Sequence, residues 1–468
     1  MTNRRTFIWQ AALAGMAGSI PSLLFAGKPG GRTEATNLPA DLAGQLHVGW
    51  SMADITPERP VALTGQLHKR ISESVQDRLT ATVLALETIG GDGQKEQAVM
   101  VSCDLLFIRG NTQKKLQDAV AASLPGLDVS KIFLNATHTH TGPGLIDDEF
   151  LGLYDTSSDP GVMKPSEYEA FFVRKTSQAI ADAWKNREPG GFSWGLGNAV
   201  LGHNRRTVRT DGTARMYGVN DPAFDHYEGP NDDRVQIIAF WDLQGNLTGI
   251  LLNTVATAQV TDGTSFISAD FYHEARQAIR NKYGSHLPVF IQVGAAGDIT
   301  PANHEFVYKR AEAEMIRRKG ITARQELANR LLRAVEEVMP YMKDQVDRKV
   351  VFKHLVARVN LPVKDPPAPP FYLTDNVSPA EIHVLRLGDV ALATNPFELF
   401  IDYGIMIKAR SKAILTFIVQ LSCHHSGYLP NKRAEEGGGY SADNYLVGHQ
   451  GGNKLVEETV RMINSMWE

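Results

Sequence analysis

Two histidines one residue apart stand in Asn135-Ala-Thr-His-Thr-His-Thr-Gly-Pro-Gly144. The segment reads as a strand running into a Gly-Pro-Gly turn. Alternate residues of a strand share a face, so His138 and His140 are expected to point the same way. Imidazoles presented together suit a divalent transition metal or proton transfer near neutral pH. A pair of polar histidines in a surface loop has the same spacing, and the spacing alone does not separate the two.

Four more polar clusters follow. Gly202-His-Asn-Arg-Arg206 sets two guanidiniums beside a histidine. Guanidinium forks suit a carboxylate or a developing oxyanion, and equally a surface ion pair. The tight backbone of Gly294-Ala-Ala-Gly-Asp-Ile-Thr-Pro301 can approach a ligand or simply turn. Asn395-Pro-Phe-Glu-Leu399 puts Glu398 just past an apolar strand, where it serves a site or a helix start. In Cys423-His-His-Ser-Gly-Tyr-Leu-Pro430 the adjacent histidines point oppositely on an extended chain, so at most one faces a given site. The two cysteines, Cys103 and Cys423, make no disulfide framework and read as buried thiols. No Gly-x-Ser-x-Gly elbow offers a serine nucleophile.

Taken in order, these clusters resemble the neutral ceramidase family, the zinc-dependent N-acylsphingosine amidohydrolases. Val48-Gly-Trp-Ser-Met-Ala-Asp-Ile-Thr-Pro57 resembles the family's opening segment. Ala136-Thr-His-Thr-His-Thr-Gly-Pro-Gly144 is close to its Ala-Thr-His-Thr-His-Ser-Gly-Pro-Gly signature, the most specific match. Asn204-Arg205, Gly297-Asp-Ile-Thr-Pro-Ala302, Pro396-Phe-Glu398 and the pair Tyr428 and Tyr440 match later motifs. The resemblance implies one zinc ion held by His138, Glu398 and Tyr428. It implies His140 as a proton-handling group and Arg205 and Tyr440 as supports for the substrate carbonyl or its tetrahedral intermediate. Thr300 stands where the family has a serine.

Two departures stand out. The family's second zinc histidine is missing from Asn253-Thr-Val-Ala-Thr-Ala-Gln-Val260, where Thr257, Ala258 or Gln259 takes its place. His203, His273, His304, His424, His425 or a water are the candidates to replace it. The family's C-terminal immunoglobulin-like domain has no counterpart after Tyr440 in this sequence.

The expected chemistry is hydrolysis of an amide or ester by metal-activated water, with His140 as general base or acid and Arg205 opposing the oxyanion. The same pocket could instead run a lyase reaction, or bind a ligand without turnover.

These residues need elements to hold them. Apolar runs at Ala81–Thr88, Gln97–Phe107 and Lys131–Ala136 read as strands covered on both faces, with a helix at Thr112–Ser123. Val235–Trp241 and Thr248–Asn253 read as a hairpin, Ala269–Lys282 as a helix, and Leu287–Val293 as a strand. A long helix at Thr322–Lys343, strands over Val350–Pro362 and Ile382–Asn395, and a closing helix at Gly451–Met466 complete the pattern. Strand and helix alternate, which argues an α/β fold: one large domain over 46–468, with mixed sheets flanked by helices. The proline run at 365–370 reads as an exposed loop.

The 468 residues carry a net charge of -4 and 8% aromatics, with no basic stripe, so nucleic acid is not an expected partner. A small-molecule or lipid-like substrate is. Arg4, Arg5, Phe7 and Ile8 precede an apolar run ending at Ala26, a twin-arginine-type signal over 1–26 that implies a periplasmic or secreted protein. Pro21 breaks that run, which is short for a spanning helix. Residues 27–45 read as a flexible lead-in.

Overall fold

A computed structural model describes residues 43–468, apart from 91, 92, 94, 148–151, 303, 365–377 and 444. The signal segment, most of the lead-in and the proline run lie outside the described residues. The described residues form one compact unit.

The strands of the largest sheet are β1 (Gly44–Asp54), β2 (Thr80–Ile89), β3 (Lys95–Cys103), β4 (Ile132–Ala136), β5 (Glu188–Asn198), β6 (Arg234–Asp242), β7 (Leu247–Thr254) and β8 (Val289–Val293). Their order is β8-β7-β6-β5-β1-β2-β3-β4, and Lys349–Val350 adds a short strand beside β1. Only β7–β8 and β3–β4 run parallel within this order. β1 meets β5 through two residue pairs alone, so the sheet divides there into two four-stranded halves. A second sheet has the order β9 (Phe352–Val359), β10 (Ala380–Leu387), β11 (Val390–Thr394) and β12 (Leu415–Val419).

The three four-stranded layers enclose one central core. Leu84, Met100 and Phe133 come from the first half, Ile238 and Phe290 from the second, and Leu385, Leu392 and Phe417 from the small sheet. The alternate residues of the same strands point outward under helices. α1 (Gly110–Ser123) and α2 (Pro165–Lys185) cover Val83, Val101 and Leu134. α3 (Phe271–Tyr283) and α4 (Ala323–Lys343) cover Ile237, Leu252 and Ile291. α5 (Ile401–Arg410) and α6 (His449–Ser465) cover Ile382, Val384 and Ala393 of the small sheet. Burial on both faces explains why these strands read as near-continuous apolar runs although most pairings are antiparallel. No described helix is long and apolar enough to cross a membrane.

Element ends differ from the sequence reading for local reasons. Ordered strand starts at Gly44, not Leu46. β3 stops at Cys103 instead of Phe107, because Asp104 turns inward to a bidentate ion pair with Arg276, 2.8 and 2.9 Å. α3 starts at Phe271, since the Asp270 carboxylate accepts from the Phe271 N–H and caps it. α4 opens on a reciprocal cap between Thr322 and Gln325.

Candidate active site

Each loop that carries a candidate residue leaves the carboxyl end of a strand: β4, β5, β7, β8, β11 or β12. Backbone hydrogen bonds stitch these loops together. Ala258 N–H donates to Thr137 O (3.2 Å), Gly297 N–H to Leu399 O (2.8 Å), Gln420 N–H to Val293 O (3.0 Å) and Glu398 N–H to Gly427 O (2.9 Å). Gly297 is required for that closeness, because a Cβ there would stand 2.3 Å from the Glu398 carbonyl oxygen.

His138 is not on a strand. β4 ends at Ala136, and His138 has φ 64°, a left-handed conformation that costs a non-glycine residue strain. Thr137 and Thr139 hold it from both sides through N–H bonds to Cys103 O and Leu105 O. The turn still brings the two histidines together, with Nε2 atoms 3.4 Å apart.

The buried His138 ring is set by its Nδ1, which lies 2.8 Å from the Leu106 carbonyl oxygen. A carbonyl only accepts, so Nδ1 carries the hydrogen and Nε2 presents a lone pair. That lone pair faces Glu398 Oε2 at 3.6 Å. Two acceptors pointed at one another in a buried site call for a cation between them. Burial opposes ionisation of Glu398, but His138, His425 and Arg205 outweigh it and hold the carboxyl below its ordinary range. Tyr428 lies beside Glu398 in a two-residue parallel pairing, and its hydroxyl accepts from Arg205 Nη2 at 3.1 Å. One imidazole, one carboxylate and one phenol oxygen form a nitrogen and oxygen set that fits zinc. These three side chains line a cleft of about 30 Å³ together with His140, His425 and Tyr440, room for one water or one ion.

Arg205 is buried and fixed by the Gly297 carbonyl, 2.8 Å from Nη2. Its guanidinium lies 5.7 Å from the Tyr428 ring and 5.8 Å from the Tyr440 ring. Burial works against its charge, and Tyr428, Tyr217, Tyr440 and Glu398 restore and strengthen it. His140 is pushed well below its ordinary range by burial and by the nearby guanidiniums of Arg70 and Arg205, so it is neutral. Thr300 does not line this cleft; its hydroxyl lies 3.4 Å from that of Tyr217.

Of the three positions left open for the missing histidine, Gln259 reaches the site. Its amide Nε2 lies 2.5 Å from His140 Nε2, and its Oε1 accepts from the Thr257 hydroxyl. The candidate replacements scatter. His203 stacks on Phe306, and His273 lies 3.9 Å from Asp77. His304 donates to the Gln259 carbonyl. Only His425 touches a proposed ligand, with Nε2 3.3 Å from Glu398 Oε1 and its ring stacked on Phe107. His424 points elsewhere, into a separate cleft, just after a left-handed turn at Cys423, φ 68°, and not on an extended chain. Tyr217 and Phe107 were not singled out from the sequence, where no spacing ties them to the histidine pair.

No protein-family model matches the chain. A curated neutral ceramidase from Pseudomonas aeruginosa is 26% identical over 218 residues, a span of 43% of this chain and 29% of that protein. The crystal structure of the neutral ceramidase from Pseudomonas aeruginosa superposes with a TM-score of 0.69 at 17% identity, over 90% of this chain and 74% of that one. A ceramidase complexed with C2 gives 0.68 at 16%, over 91% and 75%. The fold is therefore that of the neutral ceramidase structures, and the sequence match supports a relationship to the ceramidase family.

Proposed function

We propose that this chain is a metal-dependent hydrolase that cleaves an N-acyl amide, of the ceramide class, or an ester. The carrying observation is the His138 Nε2 lone pair facing the Glu398 carboxylate at 3.6 Å, beside a tyrosine oxygen held by Arg205. His138, Glu398 and Tyr428 would hold zinc. When bound, zinc supplies a water acidified toward neutral pH and a polarised scissile carbonyl.

The chain's own residues do the rest. Leu106 fixes the His138 ring so that Nε2 alone is offered. His140, neutral and buried, accepts the proton of the attacking water at Nε2 and returns it to the leaving amine or alcohol. The Gln259 NH2 lies 2.5 Å from that nitrogen and occupies its lone pair, so the amide must turn, releasing the Thr257 hydroxyl, for Nε2 to take the proton. Arg205 and Tyr440 oppose the charge that grows on the carbonyl oxygen. Leu67, Leu106 and Phe107 give the cleft an apolar wall that suits an acyl chain.

The ceramidase activity of the relatives and the apolar wall both favour an N-acylsphingosine or a similar N-acyl lipid as substrate. The N-terminal twin-arginine-type segment supports export to the periplasm or beyond, which cell fractionation would check. The direct test is release of fatty acid from N-acylsphingosine, other N-acyl amides and simple esters by the zinc-loaded full chain. Turnover of one class, absent in Glu398→Gln, is expected. No hydrolysis of any of them would sink the proposal.

A further inference from the structure

Glu381 and His383 are two residues apart on β10, so they share a face. It is the face on which Leu385 and Leu387 enter the central core. The His383 ring lies 5.0 Å from Phe133 of β4. An imidazole turned into such a core, with a half-buried carboxylate at its edge, is costly unless something satisfies it. Cys423 reaches the same place from the loop after β12, anchored by its N–H to Leu134 O at 3.0 Å. Glu381, His383 and Cys423 each bring a donor atom within 4.8 Å of the other two.

The protons on the neighbouring rings can be placed by elimination. His354 Nδ1 lies 2.9 Å from the Gln97 carbonyl oxygen, which only accepts, so that nitrogen carries the hydrogen. Neutral His354 then offers a lone pair at Nε2, 2.9 Å from His383 Nδ1. His383 Nδ1 must therefore carry its own hydrogen. Its Nε2 is left with a lone pair aimed at Glu381 Oε1, 3.3 Å away. Two acceptors again face each other, here beside a thiol. Glu381 also hydrogen-bonds the Cys423 thiol, and its second oxygen lies 3.3 Å from the exposed Arg358, a weak partner that can yield. An open cleft of about 280 Å³, lined by Glu381, Cys423 and His424, gives access from solvent.

We propose that Glu381, His383 and Cys423 form a second metal site, for a thiophilic divalent cation of the zinc type, separate from the His138 cleft. Sulfur, nitrogen and oxygen donors from three side chains leave one position facing the open cleft, for water or the His424 imidazole. Cys423 binds as thiolate: the S–H bond breaks, the sulfur–metal bond forms, and one proton leaves for each ion taken up. The ion would clamp β10 to the start of the segment that carries His425 and Tyr428 into the other site. The proposal does not depend on the hydrolase reading.

The test is cobalt(II) titration of the full chain carrying Glu398→Gln, which disables the other site. One cobalt per chain with a thiolate-to-cobalt charge-transfer band in the near ultraviolet is expected. The band should vanish in Glu398→Gln/Cys423→Ser and persist in Glu398→Gln/Cys103→Ser. Cobalt-edge X-ray absorption of the unaltered protein needs no variant and should show a sulfur ligand. No thiolate band in the folded Glu398→Gln protein would mean that a proton bridges His383 and Glu381, and would overturn the site. So would a band unchanged by Cys423→Ser, or a spectrum with nitrogen and oxygen ligands alone.

Discussion

The His138 cleft and the Glu381 cluster sit at opposite ends of one short segment, Cys423 to Tyr428, and share a device. In each, the Nδ1 of a buried histidine is committed, and its Nε2 lone pair faces a carboxylate, at 3.6 Å in one and 3.3 Å in the other. They differ in what surrounds the pair. The cleft adds a second neutral imidazole, a buried guanidinium and two tyrosines, groups that move protons and oppose developing charge. The cluster adds a thiol, which binds tightly and does neither. A facing imidazole and carboxylate therefore mark where a cation can sit, and the neighbours decide whether it works or holds.

That comparison can be broken most simply at Glu398. Glu398→Gln should reduce amide or ester turnover to background. If Cys423→Ser does so while Glu398→Gln turns over normally, the two regions have been assigned the wrong way round. Arg205→Gln should lower kcat by roughly 10²–10³-fold, the usual size of one lost oxyanion donor. An effect confined to KM would make Arg205 a binding group and bring the two regions closer in kind.

Asp298 supports the cleft from below, accepting from the Ile401 N–H and the Asn204 amide. Burial raises its carboxyl from 3.8 to about 6, against those hydrogen bonds. The folded protein therefore holds this proton more tightly than the unfolded chain. The stability gained is complete below pH about 4 and lost as pH rises through about 6. Wild type should lose roughly 3 kcal/mol relative to Asp298→Asn across that interval in denaturant melts. A difference that does not change with pH would remove this buried proton from the account.

Gln259→His should strengthen zinc binding in the cleft by about 10- to 100-fold, the range over which single groups next to zinc act. No gain would show that Gln259 serves His140 rather than standing at a vacant ligand position. The smallest effect belongs to Thr300→Ala. One hydroxyl contact with Tyr217 is worth about 0.5–1.5 kcal/mol, so turnover should fall less than about tenfold.

The two regions also differ in how plainly the sequence displays them. The His138 pair is one residue apart and flanked by a strand and a Gly-Pro-Gly turn, so its presentation was readable, although a left-handed turn rather than a strand achieves it. Glu381 and Cys423 are joined only by the pairing of sheets, and no local spacing reveals them. The buried strands announced themselves as apolar runs. β5 did not: Gly190, Gly191, Gly195 and Gly197 give it no strand signature. The reason is close packing, since a Cβ at Gly195 would stand 2.6 Å from the Met342 sulfur of α4. Gln259 was one of three open positions, and only the fold could select it.

The central claim is tested most directly by hydrolysis of an N-acyl amide or ester before chelation, after chelation and after zinc is returned, in wild type and in His138→Ala. Wild-type turnover should disappear with the metal and return with zinc, and His138→Ala should stay inactive throughout. Turnover that survives metal removal, or that persists in His138→Ala, would contradict it.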